Sequence, residues 1–178
     1  MSLVTEEMKG KAEVCHGDER CREKFMLLLA EIGFPAGLLA LQHIEECGYV
    51  KEVGFVWLRL HKEKEEEKKE HRFENVVLRF DSVVTAYFEP KKIKKLTGVK
   101  AKEFLIWISL CEIYVVNDSS SSSTSSYGSI TFKTSAAGIS KSFPVSVFRN
   151  HDREEEKEDE VMIMKKMKQR MEICGEKL

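Results

Sequence analysis

The sequence predicts a mainly β domain of the α+β class. The expected form is an antiparallel barrel or sandwich with an N-terminal helix, short connecting helices and a C-terminal tail helix. Three observations lead there. Between residues 54 and 148 the chain falls into short runs rich in Val, Ile, Phe, Trp, Tyr and Thr, separated by charged or Ser-rich stretches. No regular alternation of strands with long helices occurs, which argues against a parallel sheet. The run "EFLIWISLCEIYVV" (103–116) is apolar on both faces and suits the centre of a sheet. Five or six such strands hide their edges best by closing into a barrel or stacking as a sandwich.

The chain has 178 residues, which favours one domain. A chain of that length buries about 70% of the surface its unfolded form exposes, so it needs no disulfide or metal staple. Three parts are expected. Residues 1–17 are polar, weakly patterned and flexible; 18–150 form a single β-rich domain; 151–178 form a charged tail.

The first strong element is "DERCREKFMLLLAEIGF". Asp18 suits the N-cap, Cys21, Phe25, Leu28, Leu29 and Ile32 fall at helical spacing, and Gly33 supplies the stop. Phe25, Leu28 and Ile32 are expected to face the core. Pro35 and Gly37 make a turn, and a short helix is expected from Leu39 to Cys47, ended by Gly48. "GFVWLRLH" (54–61) then reads as a strand. The run "KEKEEEKKE" (62–70) has no apolar residue and reads as a solvated loop.

"RFENVVLRF" (72–80) and "SVVTAYFE" (82–89) read as two strands parted by Asp81. In the second, Val84, Ala86 and Phe88 share one face, and Val83, Thr85 and Tyr87 the other. "EPKKIKKLTGV" (89–99) predicts one or two helical turns. Pro90 opens them, Ile93 and Leu96 face inward three residues apart, and Gly98 closes them. After the 103–116 strand, "NDSSSSSTSSYGS" (117–129) cannot bury enough surface to offset its ordering entropy and reads as a mobile loop. "ITFKT" (130–134) and "SKSFPVSVF" (140–148) are strands, the second at an edge because of Pro144. In the tail, Val161, Met164, Met167, Met171 and Cys174 form one helical stripe opposite Lys165, Lys166, Lys168 and Arg170.

Composition narrows the function classes. The net charge of −1 gives no whole-molecule field toward nucleic acid or anionic membrane. The five cysteines are odd in number and include no C-x-x-C, which fits reduced thiols rather than a disulfide framework. "MSLVTEEMKGKAEV" holds no apolar core of signal-peptide length, and no apolar run approaches about 20 residues. A cytoplasmic location without a transmembrane segment is expected.

The chemistry-bearing candidates are few. Six lysines and no acid lie between Glu89 and Glu103. Lys91, Lys92, Lys94 and Lys95 are either the solvated side of a connector or a site for a lipid headgroup, a phosphate or an acidic partner. No aromatic residue interleaves them, which disfavours single-stranded nucleic acid. Cys15, His16 and Cys21 match no zinc spacing, and the five histidines are scattered, so no metal site is expected. The chain has no G-x-S-x-G elbow, P-loop or G-x-G-x-x-G, so neither a cofactor nor a catalytic residue is assigned. Strands apolar on both faces could enclose an apolar ligand. The basic, Met-rich tail helix could lie on an anionic surface or a partner protein. The oligomeric state has no signature in the sequence.

Four segments carry a family resemblance: "AEVCHGDERCREKF" (12–25), "GFPAGLLALQHIEECGYVKEVGFVWLRL" (33–60), "FDSVVTAYFEPKKIKKLTGVKAKEFLIWIS" (80–109) and "GISKSFPVSVF" (138–148). Together they resemble one plant family, the domain of unknown function numbered 538. The chain departs from the family's usual pattern at Ala40, Val53 and Val83, where relatives carry Pro, Thr and Glu. The resemblance implies a β-rich fold with flanking helices, a plant source and stress-related expression among relatives. It also implies a likeness to lipid-binding bactericidal permeability-increasing proteins, and for some relatives a chlorophyll-ester hydrolase role. It transfers no catalytic residue. The leading expectation is a non-enzymatic binding protein for a lipid or other apolar small molecule. The alternatives are a hydrolase of a pigment or lipid ester, and an interaction module working through the charged loops and tail helix.

Overall fold

The helical spacing of Cys21, Phe25, Leu28 and Leu29 gives one apolar face, and the fold is arranged around burying it. The structure, a computed structural model, describes residues 4–39, 41–62, 70–73, 76–116, 128–136, 138–148 and 164–169. Helix α1 spans Glu6–Lys11 and helix α2 spans Asp18–Glu31; a 3-10 turn covers Ala36–Leu39. Among the described residues nine strands follow in chain order: β1 (Glu13–His16), β2 (Ile44–Val50), β3 (Phe55–Leu60), β4 (His71–Phe73), β5 (Val76–Glu89), β6 (Lys92–Glu103), β7 (Ile106–Val116), β8 (Ser129–Thr134) and β9 (Ser140–Pro144). They form one antiparallel sheet in the order β1-β2-β3-β5-β6-β7-β8-β9, with β4 paired to β5 beside β3.

The mainly β class holds, but the sheet is open rather than a closed barrel or a two-sheet sandwich. One of its faces is covered instead of being closed on itself. Cys21, Phe25, Leu28 and Leu29 of α2 share a core with Val56, Leu58, Val84, Ala86, Phe88, Ile93, Ile113 and Phe132. Phe25 meets Phe88 with ring centroids 6.1 Å apart. Leu38 and Leu39 of the 3-10 turn join the same core, as does Phe148, whose ring lies 5.9 Å from that of Phe132. Each fully buried Leu or Phe contributes on the order of 1.5–3 kcal/mol.

Polar contacts fix the ends of α2. Gly17, with φ of 90°, is its N-cap. Asp18, expected in that role, instead accepts a hydrogen bond from the Ile44 N–H at 2.9 Å and pairs with Arg22. Gly33 stops the helix as expected, with φ of 89°. The Ile32 carbonyl accepts from the Lys91 N–H at 2.7 Å, which ties the helix end to the β5–β6 turn.

Two expected helices are strands, for one physical reason. In β2, Ile44 pairs with Leu60 while Glu46 already pairs with Arg59, so a bulge adds one residue. The buried positions Ile44 and Cys47 therefore fall three apart, which imitates a helix. In β6, Tyr87 pairs with Lys94 while Thr85 pairs with Thr97, so three steps oppose two, and Lys95 carries φ of 48°. That extra residue separates the buried Ile93 and Leu96 by three. Pro90 and Lys91 form the tight β5–β6 turn. Lys91, with φ of 58°, holds the second central position, where Gly is usual.

Gly98 does not end a helix. It sits at a bulge where β5 advances from Phe80 to Thr85 while β6 advances only from Val99 to Thr97. Its φ is 82°, and a Cβ there would overlap the Val83 carbonyl. Asp81 accordingly lies within one continuous strand. Val84, Ala86 and Phe88 face the α2 core as expected. β7 begins at Ile106, three residues later than expected, because Phe104 and Leu105 make the hairpin turn. β9 ends at Pro144 on the sheet edge, and residues 146–148 form a helical turn rather than extending it.

Residues 1–17, expected to be flexible, hold α1 and β1 within their described part. The opposite face of β2 and β3 carries Val50, Phe55 and Trp57, and Val4, Met8, Ala12 and Tyr87 pack over them. Thr5 caps α1 by accepting from the Met8 N–H at 3.2 Å. Most of the two loops expected at 62–70 and 117–129 lies outside the described residues, as does most of the tail. Within the tail, 164–169 are helical and Met164 and Met167 are exposed. The rest of the expected Met stripe is outside the described residues.

Gly48 pairs with Trp57 across β2 and β3, and a Cβ at Gly48 would lie inside the indole ring. Gly48→Ala should lower the unfolding free energy in urea titrations by about 1–3 kcal/mol. Gly10→Ala, in α1 where a Cβ meets nothing, should raise it by about 0.5–1 kcal/mol.

Candidate functional site

Strands alternate their faces, so the neighbours of core residues on β6, β7 and β8 point away from the core. Ile93, Ile113 and Phe132 are core; Lys92, Glu112 and Lys133 therefore face outward. Register brings these outward residues together. Lys92 pairs with Tyr114, Glu112 with Lys133, and Lys133 with Ser140. They line an open trough of about 470 Å³, whose rim includes Pro90, Lys91 and Gly138. The Lys91 carbonyl accepts from the Val115 N–H at 3.0 Å, which fixes the turn against β7.

Lys92 Nζ lies 3.1 Å from Glu112 Oε1. Lys91 and Lys133 add two further cations to the trough against that one carboxylate. The Tyr114 phenol and the Ser140 hydroxyl add neutral donors. Such a set can hold a phosphate or carboxylate group through charge-assisted hydrogen bonds.

Of the four lysines singled out from sequence, the structure brings Lys91 and Lys92 together here. Lys94 pairs with Glu89 at 2.7 Å, and Lys95 lies over the Tyr87 ring at 5.4 Å. Lys94 shares the outer face with Lys92 but is drawn to Glu89 on β5, and Lys95 sits at the bulge over β5; neither lines the trough. Sequence reasoning missed Glu112, Tyr114, Lys133 and Ser140, because they lie 20 to 49 residues further along and meet only through register.

A second pocket lies on the core side near the far end of β6, walled by Val76, Ala101, Leu110, Phe132 and Phe143. Its volume is about 20 Å³. That is room for roughly one water molecule, not an acyl chain.

The family model described as "Protein of unknown function, DUF538" matches residues 25–149. The chain belongs to the DUF538 family. No curated protein and no solved structure was found to match it.

The matched span of this DUF538 chain takes in both the trough and the pocket. It also holds one buried thiol, Cys47, with Cys21 just before it. Burial pushes Cys47 up to about 12, and nearby Cys21 adds to the shift. Burial also raises Cys21, with Cys15 adding, and its Sγ donates to the Cys15 carbonyl at 3.3 Å. A thiol nucleophile needs the opposite shift. His16 and His61 face carboxylates, Glu46 at 3.3 Å and Glu45 at 3.1 Å. Among the described residues no group of three or more His, Cys, Asp or Glu side chains could hold a metal ion. Among them, too, no helix is long and apolar enough to cross a membrane.

Glu46 anchors the outer side of β2. Trp57 Nε1 donates to it at 2.9 Å, and Arg59 reaches its other oxygen at 3.3 Å. The Trp57 hydrogen bond, helped by Arg59 and His16, holds its carboxyl below the usual range against the opposing effect of burial.

Two outcomes follow for this DUF538 chain. A depressed folded pKa means that the Glu46 contribution is present above the unfolded value of about 4.3 and is lost as pH falls through the folded one. Below about pH 4.3, urea-unfolding stability should therefore fall more steeply in the wild type than in Glu46→Gln. In the native state Cys21 and Cys47 should resist iodoacetamide at neutral pH and become labelled only on unfolding, as peptide mapping would show.

Proposed function

We propose that this chain is a cytoplasmic, non-enzymatic binding module of plant cells. Its ligand is a lipid or other apolar small molecule that carries an anionic group. The observation that carries the reading is the trough, where Lys91, Lys92 and Lys133 gather against the single carboxylate of Glu112, beside Tyr114 and Ser140. Its volume falls within the usual range for small-molecule sites, about 300–1,000 Å³. The inward pocket is too small for a chain, so the ligand's acid group seats in the trough and its apolar part lies along the rim at Pro90 and Val115.

The lysines act as point charges on flexible stems rather than as a rigid fork. Recognition therefore selects for a compact anion and tolerates variety in the apolar part. Burial raises Cys21 and Cys47 and makes both poor nucleophiles, so neither would serve a thiol-based ester hydrolysis.

Native mass spectrometry and fluorescence titration with lysophosphatidic acid and with oleate test the reading. The wild type should retain at least one of the two. Lys91→Gln with Lys133→Gln should weaken binding roughly tenfold, or about 1.4 kcal/mol, at unchanged melting temperature. Retention of neither amphiphile, or equal retention by the double variant, overturns the proposal.

A further inference from the structure

The β6–β7 hairpin ends in an unusual turn. Its last pair is Glu103 with Ile106, and Phe104 and Leu105 fill the two central positions. Phe104 has φ of 55°, a conformation that a two-residue hairpin normally gives to Gly, Asn or Asp. Phe104 is 95% exposed, Leu105 90% and Ile106 61%. A folded chain thus holds three consecutive large apolar side chains in water, at a turn whose first position disfavours a bulky residue.

The next pair down the hairpin is Lys102 with Trp107. The guanidinium of Arg79 stacks on the Trp107 ring at 4.2 Å, and Lys102 Nζ lies 5.7 Å from its centroid. Lys100 follows on β6, 3.9 Å from Asp81. The carboxylate nearest the tip, Glu103, is only 16% exposed and is held by Lys141 at 2.7 Å, so its charge is neutralised. Glu70 sits beside Arg79 at 3.7 Å and Arg72 at 3.1 Å. Among the described residues, Lys102 has no carboxylate at ion-pair distance.

We infer that the β6–β7 hairpin tip, Phe104-Leu105-Ile106, is a membrane-docking element that enters the interface of an anionic lipid bilayer. The layering matches what such an interface selects: an apolar tip first, then one layer in which an indole lies beside two cations. A strand rises about 3.3 Å per residue, so the tip reaches roughly 5–10 Å beyond the Arg79–Trp107–Lys102 layer, the depth at which interfacial elements sit. A narrow projection of this shape suits penetration into lipid better than a flat protein contact, which needs a broad complementary patch. The tip lies at the opposite end of β6 from Lys92, roughly 35 Å away along the strand, so docking leaves the trough open. It does not depend on the trough binding a ligand.

The test is sedimentation with phosphatidylcholine vesicles, with and without phosphatidylserine, read together with tryptophan emission. Trp57 is buried, so an emission change on docking reports Trp107. The wild type should bind the phosphatidylserine vesicles, shift its emission to the blue, and be quenched by brominated lipid. Phe104→Asn with Leu105→Ser keeps a turn-compatible residue at the positive φ and should preserve the fold. That variant should bind roughly tenfold more weakly or worse, while Lys102→Gln should weaken binding and flatten its dependence on salt. Lys91→Gln with Lys133→Gln should bind vesicles like the wild type, which separates this inference from the trough. Absence of wild-type binding, or equal binding by the tip variant, overturns it. So does a protein partner lost by the tip variant when no vesicle binding is seen.

Discussion

Everything in this fold depends on seating one amphipathic helix against one face of a curved sheet. The apolar side of α2 is too large to leave in water, and the inner face of the sheet supplies the surface that covers it. The sheet accommodates it by bending. Bulges in β2, β5, β6 and β7 each break the ladder and increase local twist. Polar contacts then lock the helix at both ends, Asp18 to the start of β2 and Ile32 to the β5–β6 turn. Removing the Asp18 carboxylate would leave the N–H of the buried Ile44 without its partner, which costs more than the contact itself contributes.

That packing decides where function can reside. The inner face is occupied by α2, the 3-10 turn and Phe148, and the pocket near the end of β6 is small. The outer face divides in two. Under α1 it is apolar, built on Phe55 and Trp57; across β6 to β9 it is polar and forms the lysine-lined trough. β6 connects the two features with functional promise. Its first residues border the trough, and its last lead into the exposed apolar turn.

Much of the fold was legible in the sequence, and the failures share a cause. α2 was read correctly because its apolar residues keep helical spacing for three turns and Gly33 ends them. β3, β8 and the second half of β5 were read correctly because β-branched and aromatic residues dominate them. β2 and β6 were misread because a bulge lengthens the interval between buried residues from two to three, as at Ile44–Cys47 and Ile93–Leu96. β7 contains the same interval, Leu110 to Ile113, but its composition outweighed it. In β6 the lysines have little strand preference, so nothing offset the false period. The candidate site was half legible. The lysine cluster is visible, but Lys94 is taken by Glu89 and Lys95 by the bulge that sets it over Tyr87.

The sequence by itself determined the mainly β class, the one strong helix, the edge position of Pro144 and the family. Each of these rests on local pattern, composition or a contiguous motif, and needs no knowledge of partners in space. Only the tertiary structure decided that the sheet stays open, that α1 packs over β2 and β3, and that Lys92, Tyr114, Glu112, Lys133 and Ser140 become neighbours. Only it revealed that Phe104 and Leu105 stand in water while the equally apolar Leu110 and Ile113 are buried. The physical reason is register: which face a side chain takes, and whom it meets, depends on the pairing of distant strands. One bulged residue is enough to turn that face over.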